Sequence, residues 1–343
     1  MKSPLRRLLP GIIVSVAFTW WFLSDAHWGE IGGALRGMRY EWLAASAAVL
    51  YSEFYIRALR WKVLLRPLAP QARIERLFVA TVIGMGLNVI LPLRAGDLAR
   101  PWLGWRETGV SIPALITIAV IERVFDLVGL VCVFVLMLLL LPANPEAHGP
   151  LVTNLKLYGG VLAVVAVLGL GTFLALAAQR SAARGVFVRL AALGPPPARD
   201  RAVALFDGFV EGLESVRSPR ALLEAAALSL VHWLNGSISI YLLFHAFSIA
   251  LPAAAACFTT VAIALTVALP QAPGFSGVFH KAVETTLVLW GEPGGPAKAF
   301  GIVFWAVSFL PVTTTGVLFA WREGLRVRDF ASGRVEPPQR SAG

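Results

Sequence analysis

Charge is scarce in this chain. Of its 343 residues, 15% are Asp, Glu, Lys or Arg, against about 25% in a typical soluble domain. Cysteine is nearly absent. Cys132 and Cys257 each sit inside an apolar run and have no spacing for a disulfide framework, a redox pair or a metal site. No glycine-rich phosphate loop ending in Gly-Lys-Ser/Thr occurs, which excludes direct coupling to ATP by that device. HExxH, CxxC and GxSxG patterns are also missing, so no metal, cofactor or serine-hydrolase chemistry is expected. The connections between apolar segments are too short to hold a soluble catalytic domain.

What the chain has is apolar sequence. Hydrophobic residues make up 57%, and the mean hydropathy is +0.72. Runs such as Val128–Leu141 and Val161–Ala178 do not alternate. They exclude a β-barrel, whose strands read as alternating segments of about 10 residues, and predict an all-α integral membrane protein. The net charge of +10 is therefore read as basic loops facing anionic lipid, not as a nucleic-acid surface.

Six segments are long enough to cross: Leu8–Leu23, Trp42–Leu65, Ser111–Leu141, Lys156–Ala178, Ala221–Ile249 and Ala297–Ala320. The first is read as a span, because no small-residue cleavage site for a leader follows it. Residues 1–7, 57–76, 94–110, 179–220 and the tail from Trp321 carry most of the 30 lysines and arginines, whereas Pro142–Leu155 carries none. The positive-inside rule puts the basic regions and both termini in the cytoplasm and Pro142–Leu155 outside. Residues 57–76 and 94–110 then share a side, so Leu77–Leu93 must enter and return. Pro252–Trp290 begins and ends outside, either as a second re-entrant pair, the favoured reading, or as two crossings.

The predicted architecture is one polytopic domain over residues 1–330, with about six full transmembrane helices plus two re-entrant helical pairs. Its halves, about 42–141 and 221–320, form an inverted-topology repeat. Within 181–220, Val203, Phe206, Phe209, Val210, Leu213 and Val216 recur at helical spacing. They predict a helix at the cytoplasmic interface, with a plain bundle cap as the alternative. Residues 331–343 read as a disordered tail.

Each re-entrant region closes on Leu-Pro-x-x-x-Gly: Leu91 to Gly96, and Leu269 to Gly274. Paired Gly/Pro-interrupted segments in corresponding halves point to a transporter's binding site. Pro92, Gly96, Pro270, Pro273 and Gly274 are the candidate gates. Near them lie Asn88, Arg94, Asp97 and Arg100 in the first region, and Gln271 and His280 in the second. Arg57 and Arg60 follow Glu53 in one helical stripe, and planar guanidinium suits bidentate phosphate binding. Glu122, Arg123 and Asp126 fall near mid-membrane, where ionisable groups are costly and functional by default. They are read as a polar wall or as a self-neutralising cluster. His232 and His245 are read as packing residues.

Arg57-Ala-Leu-Arg60-Trp61-Lys62, Asn88 through Asp97, Glu122-Arg123-x-x-Asp126, and Leu269-Pro270-x-x-Pro273-Gly274-x-x-Gly277-Val278-Phe279 together resemble the flippase-like family named for the membrane region of lysylphosphatidylglycerol synthase. The resemblance covers roughly residues 10–325. It implies a helical bundle with oppositely inserted re-entrant regions around a lipid-accessible cavity, and movement of a lipid between leaflets. Two positions depart from the family pattern: Asp97 and His280 stand where Glu is usual. The first keeps the charge and the second loses it. The aminoacyl-transfer domain of the full synthase has no counterpart in these residues, so synthesis of an aminoacyl lipid is not implied.

The leading expectation is thus a lipid flippase-type transporter of a bacterial inner membrane, not an enzyme. A lipid phosphate would lie on Arg57, Arg60, Arg94 and Arg100. Candidate cargoes are aminoacyl phospholipids, polyprenyl-phosphate-linked sugars and related lipids. The expected partners are anionic membrane lipids, with a lipid-synthesis enzyme or a second copy of the chain as further candidates. Two alternatives stay open: an enzyme using Asp97, Glu122 and His280 as acid–base groups on a lipid phosphate, and a non-transporting subunit that docks a synthase through 181–220.

Overall fold

The computed structural model describes residues 28–91, 96–141, 195–268, 273–275 and 277–325, with isolated residues in 20–24, 161–179 and 187–189. The predicted spans Leu8–Leu23 and Lys156–Ala178, the loop Pro142–Leu155 and the tail 331–343 lie largely or wholly outside the described residues, as do Pro92, Arg94, Pro270 and Gln271. The described elements are all helical: α1 (Trp28–Arg36), α2 (Tyr40–Leu65), α3 (Ile74–Ile90), α4 (Gly96–Thr108), α5 (Ile112–Leu140), α6 (Pro196–Gly212), α7 (Pro219–Ala246), α8 (Ala253–Ala268), α9 (Val278–Leu289) and α10 (Gly294–Arg322).

Local chemistry sets the helix ends. Ser111 and Ser218 are N-caps whose hydroxyls accept from the amides of Ala114 and Ala221, at 3.3 and 3.4 Å. Pro113 and Pro219 sit in the first turns, where the missing N–H costs nothing. Gly324, at φ 71°, ends α10. Its amide bonds Trp321 and that of Leu325 bonds Ala320, the paired bonds of a Schellman stop.

Helices α5, α7 and α10 are each long and apolar enough to cross a membrane, with 44%, 44% and 17% of their most apolar windows buried. The unburied remainder is apolar too. Leu139, Leu223 and Leu310 are exposed on the outside of the bundle. An apolar outer surface is stable only in lipid, so the chain is a membrane protein. Helix α2 has the length but carries Glu53, Arg57, Arg60 and Lys62, which its neighbours must accommodate.

At the centre α2 packs along α7. Ser46 and Ser239 exchange hydroxyl-to-carbonyl bonds, Asn235 donates to Ser52, Arg57 meets His232, and Arg60 donates to Ser229. The α7 number falls as the α2 number rises, so the two helices are antiparallel.

Two helical hairpins flank this pair. In the first, α3 and α4 lie together because three glycines remove the side chains between them and their neighbour. A methyl on Gly96 would overlap the Gly84 carbonyl, and one on Gly86 would lie 2.8 Å from the Val312 carbonyl of α10. Both ends of this hairpin reach one residue: Arg76 and Arg106 bind Glu323 at 2.7 and 3.6 Å. Arg66–Glu224 and Ser111–Glu211 lie at the same end of the bundle. The second hairpin, α8 and α9, opens at the opposite end, where the Arg39 amide bonds the Ala246 carbonyl and Trp290 packs on Phe258. Its tip is a 3-10 turn, Pro273–Phe275, which packs against α3. The tip of the second hairpin therefore reaches the first hairpin inside the bundle.

Helix α6 packs against α5. Gly208 and Gly212 let it approach Pro113 and Thr117 of α5, and the following turn sends Leu213 and Val216 into the core. The helical spacing in 181–220 was legible. The glycine face that docks it was not part of that apolar stripe.

Candidate functional site

Between the two hairpins lies a cavity of about 490 Å³. One wall is polar, built by Glu53 and Arg57 of α2, Asn88 of α3, Arg123 and Asp126 of α5, and His232 of α7. Another wall is aromatic. Phe275 stacks on Phe309 at 5.2 Å, and Phe279 contacts both Phe309 and Phe304. Phe275 holds its place with φ 52°, a left-handed conformation that costs a non-glycine residue about 1–2 kcal/mol.

Behind the polar wall is an ion network. Glu122 and Asp126, one turn apart on α5, point at arginines from two other helices. Arg100 of α4 donates twice to Glu122, at 2.6 and 3.1 Å, and its guanidinium lies 4.2 Å from the Trp61 ring. Arg60 donates to Asp126 and to Ser229, both at 2.6 Å, with its Nε 3.6 Å from Glu122. Arg60 is 1% exposed and Glu122 2%. Burial on this scale is tolerated because each charge has an opposite charge and further hydrogen bonds. The network ties α2, α4, α5 and α7 into one block.

The arginines expected on a phosphate thus divide. Arg57 and Arg123 line the cavity. Arg60 and Arg100 are not among its lining residues; they donate to Asp126 and Glu122 behind the wall. Glu122 is likewise a buried counter-ion behind the wall. Arg94 and Gln271 fall outside the described residues. Arg123, half exposed, lies 3.3 Å from Asp126 and 3.7 Å from Asp97 at the start of α4. Asp97 in turn accepts from the Asn88 amide at 2.8 Å and donates its own N–H to Asn88 Oδ1. Asn88, Asp97, Arg123 and Asp126 therefore link the first break to the fixed network.

The second hairpin has its own buried tie. Lys281 and Lys298 approach Glu284 at 2.9 and 3.7 Å. In each hairpin the second helix is joined to the next long helix by a buried ion pair, Arg100–Glu122 and Glu284–Lys298, with the signs exchanged.

His280 does not line the cavity. Its ring packs on Phe22 and Trp305, and its Nδ1 accepts the Gly277 N–H at 3.2 Å. Position N3 of a helix is where Glu or Gln caps the backbone in this way, so His280 keeps the capping bond without the charge. Asp97, Glu122 and His280 are not brought to one pocket. Of the gate candidates, Gly96 sets the close approach of α4 to α3, Pro273 opens the 3-10 turn, and Gly274 has φ 82° with its carbonyl accepting from Trp305 Nε1 at 2.7 Å.

Two residues of the wall were missed in sequence. Glu53 was visible in the stripe with Arg57 and Arg60, but only the arginines were taken as ligands. His232, read as a packing residue, accepts from Arg57 at 2.8 Å. Its signal was a histidine mid-span on a helix that also presents Ser229 and Asn235.

Comparison with known proteins finds membrane proteins. A UPF0104 membrane protein of Methanothermobacter thermautotrophicus is 23% identical over 82% of this chain and 83% of its own length. Another UPF0104 membrane protein, from Methanocaldococcus jannaschii, is 22% identical over 68% of this chain and 92% of its own length. No solved structure matches. Residues 8–316 match the family described as the lysylphosphatidylglycerol synthase TM region, and the chain belongs to that family.

Proposed function

We propose that this protein moves a phosphate-bearing lipid between the leaflets of its membrane. The observation that carries the reading is the two-sided cavity between the hairpins: charged on the α2, α5 and α7 wall, aromatic on the wall made by the second hairpin and α10. A lipid has the same two-sided chemistry. Its headgroup would lie against Arg57 and Arg123, whose planar guanidinium groups suit phosphate oxygens. Its first acyl carbons would lie against Phe275, Phe279 and Phe309. The family membership supports a lipid-related role.

In this reading the two hairpins are re-entrant pairs entering from opposite membrane faces, and the halves 42–141 and 221–320 are an inverted-topology repeat. The antiparallel α2–α7 pair would be its centre. Irregular backbone at membrane depth is tolerable where protein or a cavity surrounds it. The end carrying Arg66, Arg76 and Arg106 would face the cytoplasm. The protein transports and leaves its cargo chemically unchanged.

The test is leaflet exchange in vesicles. Purified protein is reconstituted with headgroup-labelled phospholipid, and an impermeant reductant reports the fraction still on the inner leaflet. Exchange should exceed that of protein-free vesicles and fall at least tenfold with Arg57→Gln. Equal exchange in both preparations, for every anionic and zwitterionic phospholipid tried, would remove the proposal.

A further inference from the structure

We infer that Glu53 and Arg57 form a dipolar headgroup site selecting a lipid that carries an ammonium group beside its phosphate, an inference that rests on the lipid-binding reading above. Both residues line the cavity. Glu53 stands one helical turn before Arg57, the order that favours a Glu–Arg pair on a helix. The pair does not form. Among the described residues Glu53 makes neither a hydrogen bond nor an ion pair, and Arg57 makes no ion pair.

The reason lies on α7. Arg57 Nη2 is 2.8 Å from Nε2 of His232, a residue 4% exposed. Because the arginine is always a donor, the imidazole accepts and is neutral at that nitrogen. It orients the guanidinium without cancelling its charge. Asp126, the other carboxylate in the wall, makes no ion pair with Arg57. It is held by Arg60 at 2.6 Å and Arg123 at 3.3 Å.

The wall therefore presents Glu53 and Arg57, each without a salt-bridge partner among the described residues, with their backbone positions about 6 Å apart along the helix axis. Unpaired charges in a membrane cavity are costly. A ligand that offers the opposite two charges at similar spacing satisfies both at once. A phosphodiester with an ammonium two carbons away has that form: its phosphate meets Arg57 and its ammonium meets Glu53. A headgroup with phosphate alone leaves Glu53 unpaired and brings its own negative charge close to the carboxylate. Glu53 is thus the specificity residue and Arg57 the common phosphate ligand.

The test uses the full chain in detergent, titrated with short-chain phosphatidylethanolamine or phosphatidylglycerol and read by native mass spectrometry. The two probes share the phosphate and differ in the ammonium. Wild type should hold phosphatidylethanolamine at least about tenfold more tightly. Glu53→Gln should erase that difference, and Arg57→Gln should weaken both lipids. Equal affinities in the wild type overturn the inference whether or not any variant folds, as does a preference that survives Glu53→Gln. If Arg57→Gln still weakens both, the phosphate-lipid reading stands while this one falls. If neither lipid binds and no leaflet exchange occurs, both fall.

Discussion

Arg100 and Glu122 are joined by two hydrogen bonds across the gap between the first hairpin and the long helix that follows it, and both are buried. The pair fixes the hairpin's second helix in place. Removing one member leaves the other charged and buried, which costs about 3–5 kcal/mol, whereas replacing both with apolar residues costs much less. Glu122→Gln should therefore lower the detergent melting temperature more than the double variant Arg100→Met with Glu122→Leu. The comparison is read by thermal denaturation with size-exclusion detection. A double variant less stable than either single variant would mean the pair is not the hairpin's anchor.

Gly96 and Gly32 make a matched contrast. A methyl on Gly96 would overlap the Gly84 carbonyl, whereas nothing lies within 4 Å of one on Gly32. Gly96→Ala should destabilise by about 1–3 kcal/mol as the hairpin is forced apart. Gly32→Ala should be neutral or stabilising by up to about 1 kcal/mol, because alanine has the better helix propensity. Equal melting temperatures for the two variants would show that α3 and α4 do not need their close approach.

The hairpin reading places Arg66 and Arg106 on one side of the membrane and Glu292 on the other. Single cysteines at these three positions, in a chain first freed of Cys132 and Cys257, should sort into two classes toward an impermeant maleimide. Arg66→Cys and Arg106→Cys should react together, and Glu292→Cys from the opposite face. Reaction of the first two from different faces is incompatible with a hairpin between them.

His280 holds the α9 N-terminus by one bond from the Gly277 amide. Losing a cap of this kind costs about 0.5–2 kcal/mol. His280→Ala should lower stability by that amount, and His280→Gln should recover it, since glutamine also caps from this position. Leaflet exchange per folded molecule should stay at the wild-type level in both, because the ring is not part of the cavity wall. A tenfold fall with His280→Gln would put His280 in the transport path after all.

Much of the scaffold was legible in the sequence. Helices α2, α5, α7 and α10 were marked by length and hydropathy, and three of them, α5, α7 and α10, are long and apolar enough to cross a membrane. The break before Gly96 and the turn at Pro273 and Gly274 were marked by residues whose backbone preferences are intrinsic. Charge placement grouped 57–76 with 94–110, and Arg76 and Arg106 do meet on Glu323.

The site was harder to read. Arg57, Arg60, Arg100 and Arg123 are chemically alike, and no local signal separates those that hold the fold together from those that face the cavity. The separation comes from neighbours far away in the chain: Ser229 and Asp126 take Arg60, Glu122 takes Arg100, and His232 accepts from Arg57. The sequence alone determined that this is an apolar, helical membrane chain with two broken segments, because length, hydropathy and backbone propensity are properties of contiguous residues. Only the tertiary structure decided which charges are spent on one another and which are left facing the cavity, because a buried charge takes its partner from whichever helix packs against it.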